Sequence, residues 1–439
     1  MALSMPFSKP DQDPPSLPPE IVRQALLYVL DAGGWFQSRV DVMASSMVCK
    51  SWYLEARPLV SNDELFRKLE LKHDSFSDSI IDVLRLVDLL LESKRLGLGD
   101  YQLIQTIHLG IRMDTAEPGK LIDSFAAIVA MKPPNLRYLV IELECQVNPE
   151  IQDIRCFIDF FDRIEPLCVG IRSVELYGIE IPTETYNVRL AEFVAALSPH
   201  LEELKFNAIE LDVPLRTALG RCTDLRRVTF DDVSGDCLPS ELRLLKNLRQ
   251  LCFAPPVSVN VDQSLIALGL HCPLLEDFTL IIRSFWTLSV PEEPMFSDSS
   301  LYYLLSCCPN IKILSISGAF WLGDPFLTVL WRHGPALERI ELSTCLVITG
   351  LAAVTAMGQE GGGWPELRSL ELDDNPKLSG VFVEKVLVLC PKLELVLLPT
   401  NLCKDEHCIK MLEGYGFRGP DDLRIWKKEN SRLETLDRG

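Results

Sequence analysis

"LERIELSTC" (337–345) and "LRSLELDDN" (367–375) are two copies of one phrase: apolar, two variable, apolar, one variable, apolar. The second and third apolar positions lie two residues apart, so they share one face of a short strand, and the first sits in the turn that enters it. The same phrase begins at Leu136, Ile171, Leu201, Leu225, Leu248, Leu275, Ile311 and Leu393, which makes ten copies in all. From Leu136 the steps are 35, 30, 24, 23, 27, 36, 26, 30 and 26 residues. Two weaker copies come first, at Phe66/Leu69/Leu71 and Ile104/Ile107/Leu109.

Helical patterns lie between the phrases, such as "VRLAEFVAAL" (188–197), "SLYYLLSC" (300–307) and "FVEKVLVL" (382–389). A strand followed by a crossover helix, repeated, predicts an α/β fold with a parallel sheet backed by helices. No such unit buries its apolar face alone, so stability comes from stacking and the ends need caps. These residues resemble the leucine-rich-repeat family in its longer, helix-backed form, over about 65–401. Three copies are preceded by Cys-Pro, at Cys272, Cys308 and Cys390, where proline stops the helix and turns the chain toward the strand. Cys345 and Asn375 stand eight residues past their first leucine, where the family places a Cys or Asn to bond turn backbone. Ala319 and Arg283 occupy that place in other copies, so those turns need another solution.

The N-terminal segment lies outside the repeat. "SLPPEIVRQALLYVL" (16–30) opens on two prolines suited to a first helical turn, with Glu20 favouring the helix dipole. On a helical wheel only Arg23 and Gln24 interrupt its later apolar surface, so it needs cover on more than one side. After Gly33-Gly34 a second helical stretch is expected over about 41–55. The pattern Leu17-Pro18-x-Glu20-Ile21, then Leu26 and Val29, then Val48-Cys49-Lys50-x-Trp52, resembles an F-box over 14–60. Ala25 stands where a larger aliphatic is common, and "DAGGWFQSR" (31–39) lengthens the link between helices. The order of elements, with strand-like "FRKLELK" (66–72) directly after, is similar to fungal members.

The expected organisation is a disordered tail (1–13), an F-box helical module (14–60), a leucine-rich-repeat solenoid (61–402) and a C-terminal cap and tail (403–439). The resemblance implies a substrate receptor of a Skp–cullin–F-box ubiquitin ligase. Its adaptor-binding residues would be Leu17, Pro18, Glu20, Ile21, Leu26, Val29, Val48 and Trp52. The alternative is a protein-binding scaffold whose first helices only cap the repeats. For capture of a protein substrate, the candidates are Phe320 and Trp321, a potential aromatic anchor, and Glu341, Glu371 and Asp373. These acids would form an acidic patch on the concave face, suited to a basic segment. The plainer expectation for that face is a solvated surface. Loop 283–300 makes the longest step between the ten strong phrases.

Composition narrows the alternatives. The net charge of -19, from 43 basic and 62 acidic residues, argues against nucleic acid or an anionic membrane as partner. No apolar run approaches the roughly 20 residues of a membrane helix. The start "MALSMPFSKPDQDPP" lacks a secretory pattern, so the 14 cysteines are expected as reduced thiols in cytoplasm or nucleus. Cys403, His407 and Cys408 lack the further ligands of a closed zinc site, and no metal or other cofactor is expected. Gly361-Gly362-Gly363 lacks the lysine of a phosphate loop, and the six histidines are scattered. The chain reads as non-catalytic.

Overall fold

Each of the twelve phrases carries a strand in the computed structural model of the chain. The structure describes residues 18–32, 37–46, 54–57, 59, 67–71, 80–112, 118–144, 151–168, 170–178, 184–231, 233, 242–256, 259–283, 294–359, 363–419 and 424–428. The chain divides into two compact units, Met1–Ile171 and Arg172–Gly439.

The first unit opens with α1 (Pro19–Ala32) and α2 (Gln37–Ser46). The Pro18 carbonyl accepts the first helical bonds, from the N–H of Ile21 at 2.9 Å and of Val22 at 3.1 Å, as the proline-led start predicts. Strands β1 (Lys68–Leu71), β2 (Thr106–Arg112) and β3 (Tyr138–Glu144) follow, interleaved with helices α3 (Ile80–Arg95), α4 (Pro118–Ala130) and α5 (Ile151–Ile164). All three strands are parallel, and Leu69, Ile107 and Leu139 pair across them. The helices close over the sheet through buried aromatics, with the Phe125 and Phe160 rings 5.6 Å apart.

The second unit extends the same plan. Strands β4 (Ser173–Tyr177), β5 (Glu203–Asn207), β6 (Arg227–Asp231), β7 (Gln250–Phe253), β8 (Asp277–Ile281), β9 (Ile313–Ser317), β10 (Arg339–Ser343), β11 (Ser369–Glu371) and β12 (Leu395–Leu397) lie parallel in chain order. The register follows the phrase: Val174, Leu204, Val228, Leu251, Phe278, Leu314, Ile340, Leu370 and Val396 form one continuous row. A one-residue slip would turn every apolar pair outward, so burial fixes this register. The sheet is backed by α6 (Glu184–Leu197), α7 (Val213–Leu219), α8 (Asp262–His271), α9 (Asp298–Cys307), α10 (Asp324–His333), α11 (Leu351–Gln359) and α12 (Gly380–Leu389). From Leu201 onward the first apolar residue of every phrase is buried.

Side chains stitch neighbouring repeats together at four levels. Asn375 is fully buried; its Oδ1 accepts from the Cys345 N–H at 2.8 Å and its Nδ2 donates to the Leu342 carbonyl at 2.6 Å. In the preceding repeat Cys345 acts alike, its thiol accepting from the Ala319 backbone N–H. Arg283, at the corresponding place, instead forms an ion pair with Asp231. At the helix starts, Asp324 accepts from the N–H groups of Thr349, Gly350 and Ala352 and from the Thr349 hydroxyl, at 2.6–3.1 Å. Asp262 holds Ser297 in the same way. At the helix ends, Cys272, Cys308 and Cys390 are the cap residues the Cys-Pro pairs predict. Burial pushes each thiol up to about 12, and the Cys308 Sγ lies 3.4 Å from the Cys272 carbonyl. Where the strands begin, Arg172–Glu202, Arg227–Glu203, Lys312–Glu276 and Arg368–Glu394 pair across neighbouring strands at 2.7–3.1 Å.

The residue seven past the phrase start takes a left-handed conformation at Ala208, Gly318, Thr344 and Asp374, with φ of 51°, 79°, 59° and 52°. This turns the chain off the strand. At Gly318 an added Cβ would lie 2.1 Å from the Ile282 carbonyl oxygen, so only glycine fits there.

The C-terminal region reverses direction. After α13 (Thr400–Cys403) and α14 (Glu406–Gly414), β13 (Phe417–Arg418) pairs antiparallel with β14 (Ile425–Lys428), and β14 pairs antiparallel with β12. Trp426, nearly fully buried, stands opposite Val396.

Candidate functional site

The N-terminal helices present the first candidate surface. Val22 and Leu26 of α1 are fully buried with Val42 of α2 and Ala56, and Val29, Leu59 and Leu103 pack against this cluster. Leu103 belongs to the turn before β2, so the helices rest on the first repeats. Arg85 of α3 lies 3.7 Å from Asp41 of α2. The buried stripe is narrow. At 100° per residue, Val22, Leu26 and Val29 span one arc, while Ile21, Ala25 and Tyr28 line the arc beside it. Those three are exposed, Ile21 by 50% and Tyr28 by 73%, and Pro18 and Glu20 are exposed with them.

The expected adaptor-binding residues therefore separate. Pro18, Glu20 and Ile21 face outward, Val29 is half-buried, and Leu26 faces inward as core. Leu26 thus holds the helices together and offers no surface, because its side chain is wholly covered by Val22, Val42 and Ala56. Tyr28, absent from the expected set, is exposed by 73%; its i, i+7 relation to Ile21 places it on the same side of the helix. Leu17, Val48 and Trp52 lie outside the described residues.

The second candidate is the strand face of the second unit opposite the helices. Glu175, Lys205, Thr229, Cys252, Thr279, Ser315, Glu341, Glu371 and Leu397 form one row in register across nine strands. Over β4 to β6 the charges neutralise one another: the Lys205 Nζ donates to the Tyr177 hydroxyl at 2.7 Å, which donates to Glu175 at 2.8 Å, and Asn207 donates to Asp231 at 2.9 Å. Farther along, Arg339 of β10 lies 2.8 Å from Glu371 and 3.4 Å from Glu341. Ser369 also donates to Glu371, which is 7% exposed. Asp373 lies 3.9 Å from Arg424. The expected acidic patch is thus present in sequence register but already holds two guanidinium groups. Asp277 of β8, not among the sequence candidates, accepts from Gln250 at 3.3 Å, and burial pushes its carboxyl up.

Beyond the strand ends, Phe320 and Trp321 are half-buried, and the Trp321 ring meets Phe296 edge-on at 5.3 Å. The Trp321 indole N–H is buried without an acceptor among the described residues. One repeat on, Leu346 and Val347 are exposed by 38% and 40%.

Cys403 and Cys408 are buried, and the Cys403 thiol lies 3.4 Å from the Leu398 carbonyl. Among the described residues there is no group of three His, Cys, Asp or Glu able to hold a metal, and no helix long and apolar enough to cross a membrane.

No family model matches the chain, and no curated protein does. Solved structures do. Yeast Rad7, in a crystal structure of the Rad7–Elc1 complex, is 18% identical with a TM-score of 0.50, over 83% of this chain and 87% of that one. A leucine-rich-repeat protein of Leptospira interrogans is 12% identical, TM-score 0.34, over 69% and 74% of the two chains. The leucine-rich-repeat domain of the type III effector XopL is 13% identical, TM-score 0.25, over 89% and 98%. The α/β leucine-rich-repeat architecture is shown by the strand–helix repeat and its register, and the likeness to Rad7 is a likeness of that fold.

Proposed function

We propose that the chain is a substrate-recognition adaptor of a Skp–cullin–F-box ubiquitin ligase: α1 and α2 dock a Skp-type adaptor, and the repeats hold a protein substrate. The observation that carries the reading is the uncovered apolar stripe Ile21–Ala25–Tyr28 beside a stripe in which Val22 and Leu26 are fully buried. A helix needing only to cap the repeats would be polar on that outer side. Rad7, similar in fold, was solved in complex with Elc1, and this supports a reading in which the present chain also works within an assembly. The chain's own contribution is proximity. Holding a substrate beside a charged conjugating enzyme raises the local concentration of the reacting lysine, and the chemistry belongs to other subunits. A cytoplasmic or nuclear site of action goes with this role.

A second reading is a leucine-rich-repeat scaffold with no ligase role. It is favoured by Leu103, which joins the α1 core to the first repeats as a simple cap would. One experiment separates the two. Co-expression with a Skp-type adaptor should give a stable complex, and Ile21→Asp with Tyr28→Asp should abolish it while leaving the circular dichroism unchanged. If the wild-type chain binds no such adaptor, the scaffold reading stands in its place.

A further inference from the structure

Two features of the β8–β11 repeats point to the same occupant. The first is charge. The outward strand residues there include three carboxylates, Asp277, Glu341 and Glu371, against one guanidinium, Arg339. Over β4 to β6 each outward acid instead has a basic partner, Glu175 with Lys205, Glu203 with Arg227, and Asp231 with Arg283 from beyond β8, so the excess is local. The second is the apolar rim. Ser317 of β9 and Ser343 of β10 are paired in register, and Trp321 and Val347 stand four residues beyond them. The rim residues Trp321, Leu346 and Val347 therefore take equivalent places on neighbouring repeats, beyond the ends of β9 and β10, and β10 carries Glu341.

The spacing between the two features is set by the sheet. From Glu341 the chain advances two strand residues to Ser343, then turns at Thr344, with φ of 59°, toward Leu346. At about 3.3 Å per extended residue, a segment lying along the strand direction crosses from acids to rim in about three to five residues. We propose that this surface docks an extended polypeptide segment carrying a lysine or arginine and, about three to five residues away, a bulky apolar side chain. The cation joins Arg339 among the three carboxylates, and the apolar side chain covers Leu346 and Val347 beside Trp321. The net charge of -19 disfavours nucleic acid or an anionic lipid surface here.

The proposal rests on the reading of the repeats as a polypeptide receptor, and the test separates the two. A phage-displayed library of random dodecapeptides is panned against the full chain and against an unrelated protein. Enriched peptides are expected to share a basic residue and a bulky apolar residue at the stated spacing. Glu341→Gln with Glu371→Gln should weaken the best peptide about tenfold, and more at low salt than at high. Leu346→Ser with Val347→Ser should weaken it through the apolar residue alone. Asp277→Asn provides an independent charge variant should the double glutamine change disturb folding by circular dichroism. Enriched peptides without a basic residue, or affinity unchanged in these variants, overturn this inference alone. If nothing enriches over the unrelated protein, the inference falls together with the receptor reading.

Discussion

Asn375→Ala tests whether neighbouring repeats are locked together by buried side-chain bonds to backbone. Asn375 is fully buried and makes two short bonds into the preceding turn, to the Cys345 N–H and the Leu342 carbonyl. Alanine removes both partners and leaves a buried donor and a buried acceptor unmet. At roughly 1–3 kcal/mol for each, the expected loss is about 2–6 kcal/mol. Repeat arrays unfold by neighbour-coupled steps, so the loss should appear as an earlier transition of the C-terminal repeats in a urea titration followed by circular dichroism. Hydrogen exchange supplies the local readout: the Cys345 amide should lose protection while amides of β5 and β6 keep theirs. Asn375→Cys should recover some of the loss, since the Cys345 thiol already accepts the Ala319 N–H in the equivalent place. A loss below about 1 kcal/mol, the net value of one ordinary hydrogen bond, with Cys345 still protected, would refute the reasoning.

Gly318→Ala should destabilise by at least ~2 kcal/mol, because Ala208 tolerates a similar φ but residue 318 also meets the Ile282 carbonyl; thermal unfolding measures it. Burial pushes the Asp324 carboxyl up, but bonds from the Thr349 hydroxyl and three backbone N–H groups outweigh this and hold it below the usual range. Its stabilising effect is therefore fully present above the unfolded-state pKa, about 3.9, and is lost as pH falls through the lower folded value. Asp324→Asn should cost most at neutral pH, with the gap to wild type closing in urea titrations below about pH 4. Glu276→Gln, which loosens the pairs with Arg249 and Lys312, should cost at most ~1 kcal/mol and less in high salt.

The repeat was legible because its period is local. Two apolar residues two apart mark a strand face, and the pairing of Leu204 with Val228 or Ile340 with Leu370 follows once each strand knows its inner side. The inner side of α1 was not legible. Ile21 and Leu26 are both large aliphatics on a helix with little polar contrast, and only the positions of Val42, Ala56 and Leu103 decide that one is covered and the other open. The state of the acidic patch was hidden for a related reason. Arg339 and Glu371 are 32 residues apart in sequence, and they meet only because β10 and β11 stack. Strand β14 carries no mark in the sequence because an antiparallel strand need not follow the repeat phrase.

That reversed strand has a consequence for the molecule as a material. A stack of like rungs has no intrinsic length, and its last open rung is a template for the first rung of another copy. By laying Trp426 against Val396 in the opposite direction, β14 makes the final rung unlike all those before it. Beyond it lies β13, only two residues long and ending in Arg418. Among the described residues this edge is thus a two-residue strand, which offers a second copy little backbone to pair with.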